Sequence, residues 1–190
     1  MNRAVFLDRD GVLNELILNP VTGAFEPPHT PEDLVVFPET VALLRDLQNA
    51  GYALFLVSNQ PDYAKGKTTL ENIRKVQEKF DIIMRSGGVQ FREYYYCHHH
   101  PDGIIPEYSF ICKCRKPEPY FLEKAAQNYD LDLGESWMIG DRDSDIECGK
   151  AAGTWTILIE EPKSSRSRGS SNPDFISANL KDAVAIILQQ

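Results

Sequence analysis

Two aspartates one residue apart, Asp8 and Asp10, follow the apolar run Ala4-Val5-Phe6-Leu7 and precede Gly11. A strand buried on both faces tolerates polar side chains only where it leaves the sheet, so these carboxylates belong at its carboxyl end. Open α/β sheets bind their ligands at that end. Two carboxylates this close repel one another unless a cation stands near them or one keeps a proton. The pair therefore suits a site that handles a divalent cation together with phosphate.

Three more clusters carry compatible chemistry. Ser58-Asn59-Gln60 closes a second apolar run and offers a hydroxyl and backbone N–H groups to phosphate oxygens. Arg115-Lys116-Pro117 sets two cations side by side, and Ile139-Gly140-Asp141-Arg142-Asp143-Ser144-Asp145 again ends a strand in acids. Singly, each has a plainer explanation: a turn serine, a surface patch, a helix-capping aspartate. A fifth cluster is of another kind. Cys97-His98-His99-His100 and Cys112-Lys113-Cys114 put three thiols and three imidazoles within 18 residues. A Cys-x-His and Cys-x-Cys set suits tetrahedral Zn²⁺, and four protein ligands leave no open position, so such an ion is structural. Spacing alone leaves His98, His99 and His100 open as the nitrogen ligand. Cys148 falls on an expected helix and reads as a packed thiol.

The elements that position these clusters alternate. Apolar runs at 4–7, 52–57, 91–96, 137–139 and 154–159 are separated by helical patterns, which predicts βαβ units. The fold class expected is α/β, a Rossmann-like, mainly parallel sheet with helices on both faces. A helix is expected from near Pro38 to Gly51, and one from a Thr68/Glu71 capping box to about Ser86. Further helices are expected after Pro119 and over 179–188. Residues 15–33, with four prolines, read as an irregular insert too short to form a separate capping domain, and 161–173 reads as a mobile, solvated connection.

Composition narrows the class. At 190 residues and 42% hydrophobic content, one domain spanning 1–190 is expected. No apolar stretch is long enough to cross a bilayer, and no secretory leader pattern opens the chain, so a soluble, cytoplasmic monomer is expected. A net charge of −8 disfavours nonspecific nucleic-acid binding and requires local cations or a metal to hold an anionic substrate. In a cytosolic chain the spacing of the cysteines reads as metal binding rather than a disulfide framework.

Taken in order, Asp-x-Asp-Gly, a strand-end Ser, a Lys and Gly-Asp-x-x-x-Asp resemble the haloacid dehalogenase-like (HAD) hydrolases over about 140 residues. The resemblance implies that Asp8 is a nucleophile forming an aspartyl-phosphate and that Asp10 is the general acid and base. It implies Mg²⁺ held by the Asp8 carboxylate, the Asp10 carbonyl and Asp141, with Ser58 and Lys116 on the phosphoryl group and Asp145 supporting Lys116. A zinc loop over about 97–114, with His99 joining Cys97, Cys112 and Cys114, is similar to that of the heptose 1,7-bisphosphate and histidinol-phosphate phosphatases. By the same resemblance Arg9, Asn59, Gln60, Arg115 and Arg142 are expected to contact substrate. The implied activity is removal of the 7-phosphate from a heptose bisphosphate, with histidinol phosphate as the rival substrate and a non-catalytic, zinc-stabilised binding module as the remote alternative. Two stretches, both expected to line the substrate mouth, depart from the heptose enzymes. Glu15 to Pro20 replaces a Gly-Tyr-Val element, and Asn59-Gln60-Pro61-Asp62-Tyr63-Ala64-Lys65-Gly66 replaces Asn-Gln-Ser-Gly-Ile-Ala-Arg-Gly.

Overall fold

Six strands lie parallel in one sheet: β1 (Ala4–Leu7), β4 (Ala53–Asn59), β5 (Phe91–Cys97), β6 (Trp137–Gly140), β7 (Trp155–Ile159) and β8 (Phe175–Ser177). Their order across the sheet is β5-β4-β1-β6-β7-β8. The structure is a computed structural model that describes residues 2–190. The chain winds outward from β1 through β4 to β5, then returns to the other side of β1 at β6. The carboxyl ends of β1, β4 and β6 therefore frame the crevice where the winding reverses, which is where such sheets bind ligands.

Alternation along the strands explains the layers. Val5, Leu7, Leu54, Leu56 and Ile139 face the side covered by α1 (Thr40–Asn49), α2 (Leu70–Ser86) and α5 (Leu180–Leu188), against Leu44, Leu47, Phe80, Met84 and Val184. Ala4, Phe6, Phe55, Val57 and Met138 face the other way, onto Leu122 and Ala125 of α3 (Tyr120–Tyr129) and Cys148 of α4 (Asp143–Ala152). All four residues of β1 are fully buried. Each large side chain there contributes about 1.5–3 kcal/mol by leaving water, so the strand that leads into Asp8 is firmly held.

Three expectations need correction. The cap of α2 is Thr69, which accepts from the Asn72 N–H (3.1 Å); Thr68 instead spends its hydroxyl on the His29 carbonyl (2.8 Å), and Glu71 pairs with Lys75. The insert is not wholly irregular, since β2 (Ile17–Leu18) and β3 (Phe25–Glu26) form an antiparallel hairpin within it. Residues 161–173 do not drift in solvent. They form a short 3₁₀ segment, Pro162–Ser167, and then dock on the acidic strand-end cluster: Ser164 Oγ donates to the Asp141 carbonyl (3.2 Å), and Ser170 and Ser171 bind the Asp143 carboxylate. A Ser/Arg/Gly-rich composition cannot build a core, but it supplies many donors, and a carboxylate with unsatisfied oxygens uses them.

Candidate active site

Asp8, the residue after β1, is buried, and its Oδ1 takes a 2.8 Å hydrogen bond from Lys116 Nζ. Lys116 is buried as well and also donates to the Val57 carbonyl (2.6 Å), while Asp145 Oδ1 stands 2.6 Å from the same nitrogen. One ammonium thus bridges two carboxylates and a strand carbonyl. Burial by itself would raise the Asp8 carboxyl, but the charge and hydrogen bond of Lys116 outweigh it and hold the group below its ordinary range. Lys116 moves the opposite way: burial works against its charge, yet Asp145 and Asp8 push it above the usual lysine value.

Two glycines make the crowding possible. A Cβ on Gly140 would stand 2.1 Å from that of Asp145, so only glycine lets α4 bring Asp145 against the strand end. Gly11 has φ +88°, and a Cβ there would meet Asp141 Oδ2 at 2.4 Å.

Asp141 has a different surrounding. It is fully buried, and neither carboxylate oxygen has a hydrogen-bond partner. Burial, with Asp8 and Asp145 nearby, pushes its carboxyl up to about 8. A buried acid with two orphaned oxygens is costly unless a cation completes it. Oxygens of Asp8, Asp141 and Asp145 lie within 4.8 Å of one another. Asp145 has both of its oxygens in use, one on Lys116 and the other on the Arg142 N–H (3.1 Å). Arg142 Nε stands 3.8 Å from Asp141 Oδ1, too far for a hydrogen bond, so Asp8 and Asp141 keep oxygens that would hold a metal, and hard oxygen donors suit Mg²⁺.

The second cluster fits a second ion. Cys97, Cys112 and Cys114 place their sulfurs 3.4–3.5 Å apart, and His99 Nδ1 lies 3.5 Å from Cys114 and 3.8 Å from Cys97. Ligands about 2.3 Å from a tetrahedral zinc are separated by roughly 3.8 Å along each edge. The geometry therefore selects His99 among the three histidines. His98 turns its Nδ1 to the Gln60 carbonyl (3.2 Å), and His100 Nδ1 accepts from the Asp102 N–H (3.1 Å).

A cleft of about 230 Å³ opens over the strand ends. Asp8, Asp10, Asn59, Arg115, Lys116, Arg142 and Asp145 all line it. Asn59 does more than face the cleft: its side-chain amide donates to the Lys116 carbonyl (3.0 Å) and accepts from the Lys116 N–H (3.1 Å), clamping the backbone that carries the lysine. Arg115 donates to the His99 carbonyl (3.3 Å), which ties the start of this segment to the cysteine loop. Ser58 is buried beneath; its Oγ accepts from Gln60 Nε2 (3.0 Å), leaving its own hydrogen to donate.

Arg9 and Gln60 are elsewhere than expected. Both are buried and neither lines the cleft; Arg9 Nε and Nη2 and the Gln60 amide turn onto Asp10 and onto each other, while Arg9 Nη1 has no hydrogen-bond partner. An arginine set between two aspartates finds a charge partner without reaching solvent, which is why Arg9 is not among the residues that line the cleft.

The opposite wall comes from residues the motifs did not single out. Phe25, Glu26 and Pro27 of the insert and Asp62, Lys65 and Lys67 of the loop after β4 complete the cleft. Buried Glu26 pairs with Lys67, while His29 Nε2 reaches Asp62 (3.0 Å) and Glu26 (3.3 Å). The hydrogen bond to Asp62, opposed by burial and reinforced by both carboxylate charges, raises His29 above the ordinary imidazole value. The sequence placed these two divergent stretches at the substrate mouth without singling out residues within them, and the cleft lining agrees.

Comparison with known proteins agrees with this arrangement. The family model described as HAD-hydrolase-like matches residues 113–183. The chain is 33% identical over 180 residues to the D-glycero-beta-D-manno-heptose-1,7-bisphosphate 7-phosphatase of Yersinia pestis, covering 94% of this chain and 92% of that one. It is 30% identical to the enzyme of the same name from Escherichia coli K12, over 98% and 94% of the two chains. Its fold matches that of D,D-heptose 1,7-bisphosphate phosphatase from B. bronchiseptica with a TM-score of 0.80 at 22% identity, covering 98% of each. With Lys116 bridging Asp8 and Asp145 at the strand ends and relatives aligned over nearly their whole length, the chain belongs to the heptose-bisphosphate phosphatase family of HAD-like hydrolases.

Proposed function

We propose that this chain removes the 7-phosphate of D-glycero-D-manno-heptose 1,7-bisphosphate, with Mg²⁺ at Asp8, the Asp10 carbonyl and Asp141 and a structural Zn²⁺ on Cys97, His99, Cys112 and Cys114. The observation that carries the reading is Asp8, held ionised by Lys116 beside an Asp141 with two unpartnered oxygens. The B. bronchiseptica protein of the same fold is complexed with magnesium and phosphate.

In this reading Asp8 attacks phosphorus as the bond to the sugar oxygen breaks, and the Asp10 carboxyl gives that oxygen its proton. Asp10, now a carboxylate, then takes a proton from the water that attacks the aspartyl-phosphate, releasing phosphate and restoring both acids. Lys116 holds Asp8 in line and Ser58 donates to a phosphoryl oxygen. Bound magnesium supplies positive charge opposite the gathered carboxylates and phosphoryl oxygens. Arg115 and Arg142 line the cleft as cations for the second phosphate, and so does Lys65, which has no ion pair among the described residues.

A substrate panel tests the assignment. The expected result is that both anomers of heptose 1,7-bisphosphate exceed histidinol phosphate and hexose bisphosphates by at least about tenfold in kcat/KM, a difference of about 1.4 kcal/mol. Both anomers belong in the panel because a relative from Photorhabdus laumondii, 32% identical over 151 residues, carries the alpha name. Equal, slow turnover of all substrates would sink it.

Zinc removal is a separate test. A chelator is expected to raise amide exchange across 97–114 and to lower turnover, because that loop leads directly into Arg115 and Lys116, while β1 and β4 keep their protection. Loss of protection throughout the sheet with the first equivalent would show that the ion holds the whole fold.

A further inference from the structure

Asp10 is gripped from both sides. Its Oδ1 accepts from Arg9 Nε (3.1 Å) and Asn14 Nδ2 (3.0 Å); its Oδ2 accepts from Arg9 Nη2 (3.2 Å) and Gln60 Nε2 (2.5 Å). Arg9 is only 1% exposed, and its guanidinium carbon lies 5.9 Å from the centre of the Tyr96 ring. Its Nη2 also donates to Gln60 Oε1 (3.0 Å). That bond fixes which way the Gln60 amide points. Reversing the amide would set two donors, Nε2 and Nη2, against each other and aim Oε1 at the Asp10 carboxylate. The fork of Arg9 thus orients Asp10 directly and a second time through Gln60. Gln60 Nε2 also reaches Ser58 Oγ (3.0 Å), so the same amide joins the acid to the expected phosphate donor.

Burying a whole guanidinium beside the nucleophile is a heavy investment for packing alone. We propose that Arg9 and Gln60 are positioning residues for proton transfer by Asp10, in place of substrate-contacting roles: the four bonds fill both oxygens of its ionised form, and the Gln60 bond to Oδ2 opens when that oxygen carries the proton to the leaving group while the Arg9 fork keeps the group in place. The inference rests on the phosphatase reading above and adds to it the groups that aim the acid. In the first half-reaction the Asp8–phosphorus bond forms, the bond from phosphorus to the leaving oxygen breaks with its electron pair staying on that oxygen, and the Asp10 proton moves to it. A leaving group that is stable as an anion does not need that proton.

The test follows from this difference. The first half-reaction is measured in single turnover with a sugar phosphate, whose alkoxide must be protonated, and in single turnover with p-nitrophenyl phosphate, whose initial nitrophenolate burst departs unprotonated. Arg9→Lys keeps the charge but loses the fork. It is expected to slow the sugar-phosphate step about 100-fold, the scale of general acid catalysis, and to change the nitrophenolate burst less than about threefold. Gln60→Met leaves Arg9 in place and is expected to give the same pattern at about tenfold, which keeps the question answerable if Arg9→Lys folds poorly. Equal slowing of both substrates in either folded variant would show a merely structural role and overturn the proposal, as would no slowing of either. Absence of any p-nitrophenolate and phosphate release by the unaltered enzyme would instead remove the phosphatase reading on which the inference stands.

Discussion

Asp8→Asn is expected to lower phosphate release by at least about four orders of magnitude while leaving the fold intact. An asparagine is isosteric and keeps an oxygen for Lys116 Nζ to donate to, and Lys116 retains the Val57 carbonyl and Asp145. The backbone N–H of Asp8 donates to the Ile139 carbonyl (3.0 Å), so the carboxyl end of β1 stays registered on β6 whatever the side chain. What disappears is the anionic oxygen that forms the new bond to phosphorus. Circular dichroism and the thermal midpoint should change little, and turnover assayed with saturating Mg²⁺ should be at background. Trapping the unaltered enzyme with beryllium fluoride, followed by spectroscopy of the Asp8 carboxylate, reads the same step from the other side. If the variant kept more than about one per cent of its turnover, direct attack by water would replace the aspartyl-phosphate.

The parts of this site legible in the sequence are those where polarity changes abruptly. Asp8, Asp10 and Asp141 stand at the ends of apolar runs, and a buried strand forces such residues to its rim. The Cys/His cluster was legible, except for which histidine joins it, because thiols and imidazoles at short spacing have few alternative uses. What spacing cannot give is the direction a side chain takes once past the strand. Arg9 and Gln60 sit inside the right motifs but turn inward, because the strongest acceptor available to both is Asp10. Nor does spacing show pairings across long loops: His29 meets Asp62 33 residues on, and Lys67 meets Glu26 41 residues back. Those contacts make the Pro-rich insert a wall of the cleft. β8 escaped notice because three residues carry no periodicity, and its pairing with β7 follows from Asp174, whose carboxylate binds Thr156 just before the strand begins.

Lys116→Met carries the second large effect, and it separates a lysine's two functions. The ammonium is buried against Asp8 (2.8 Å) and Asp145 (2.6 Å), so its removal leaves two buried carboxylates without their counter-ion. Breaking a buried pair from one side costs about 3–5 kcal/mol, which for a chain of this size lowers the thermal midpoint by roughly 6–20 °C. Turnover should fall at least about 1,000-fold, since the charge that steadies the transferring phosphoryl group goes with it. Adding Asp145→Asn removes one of the stranded anions. The double variant is expected to regain roughly half of the lost stability and none of the activity. Thermal unfolding without added magnesium and phosphate release with it supply the two readouts. If the double variant recovered turnover along with stability, Lys116 would serve only to neutralise Asp145, and the phosphoryl group would have to draw its positive charge from Arg115, Arg142 and the metal.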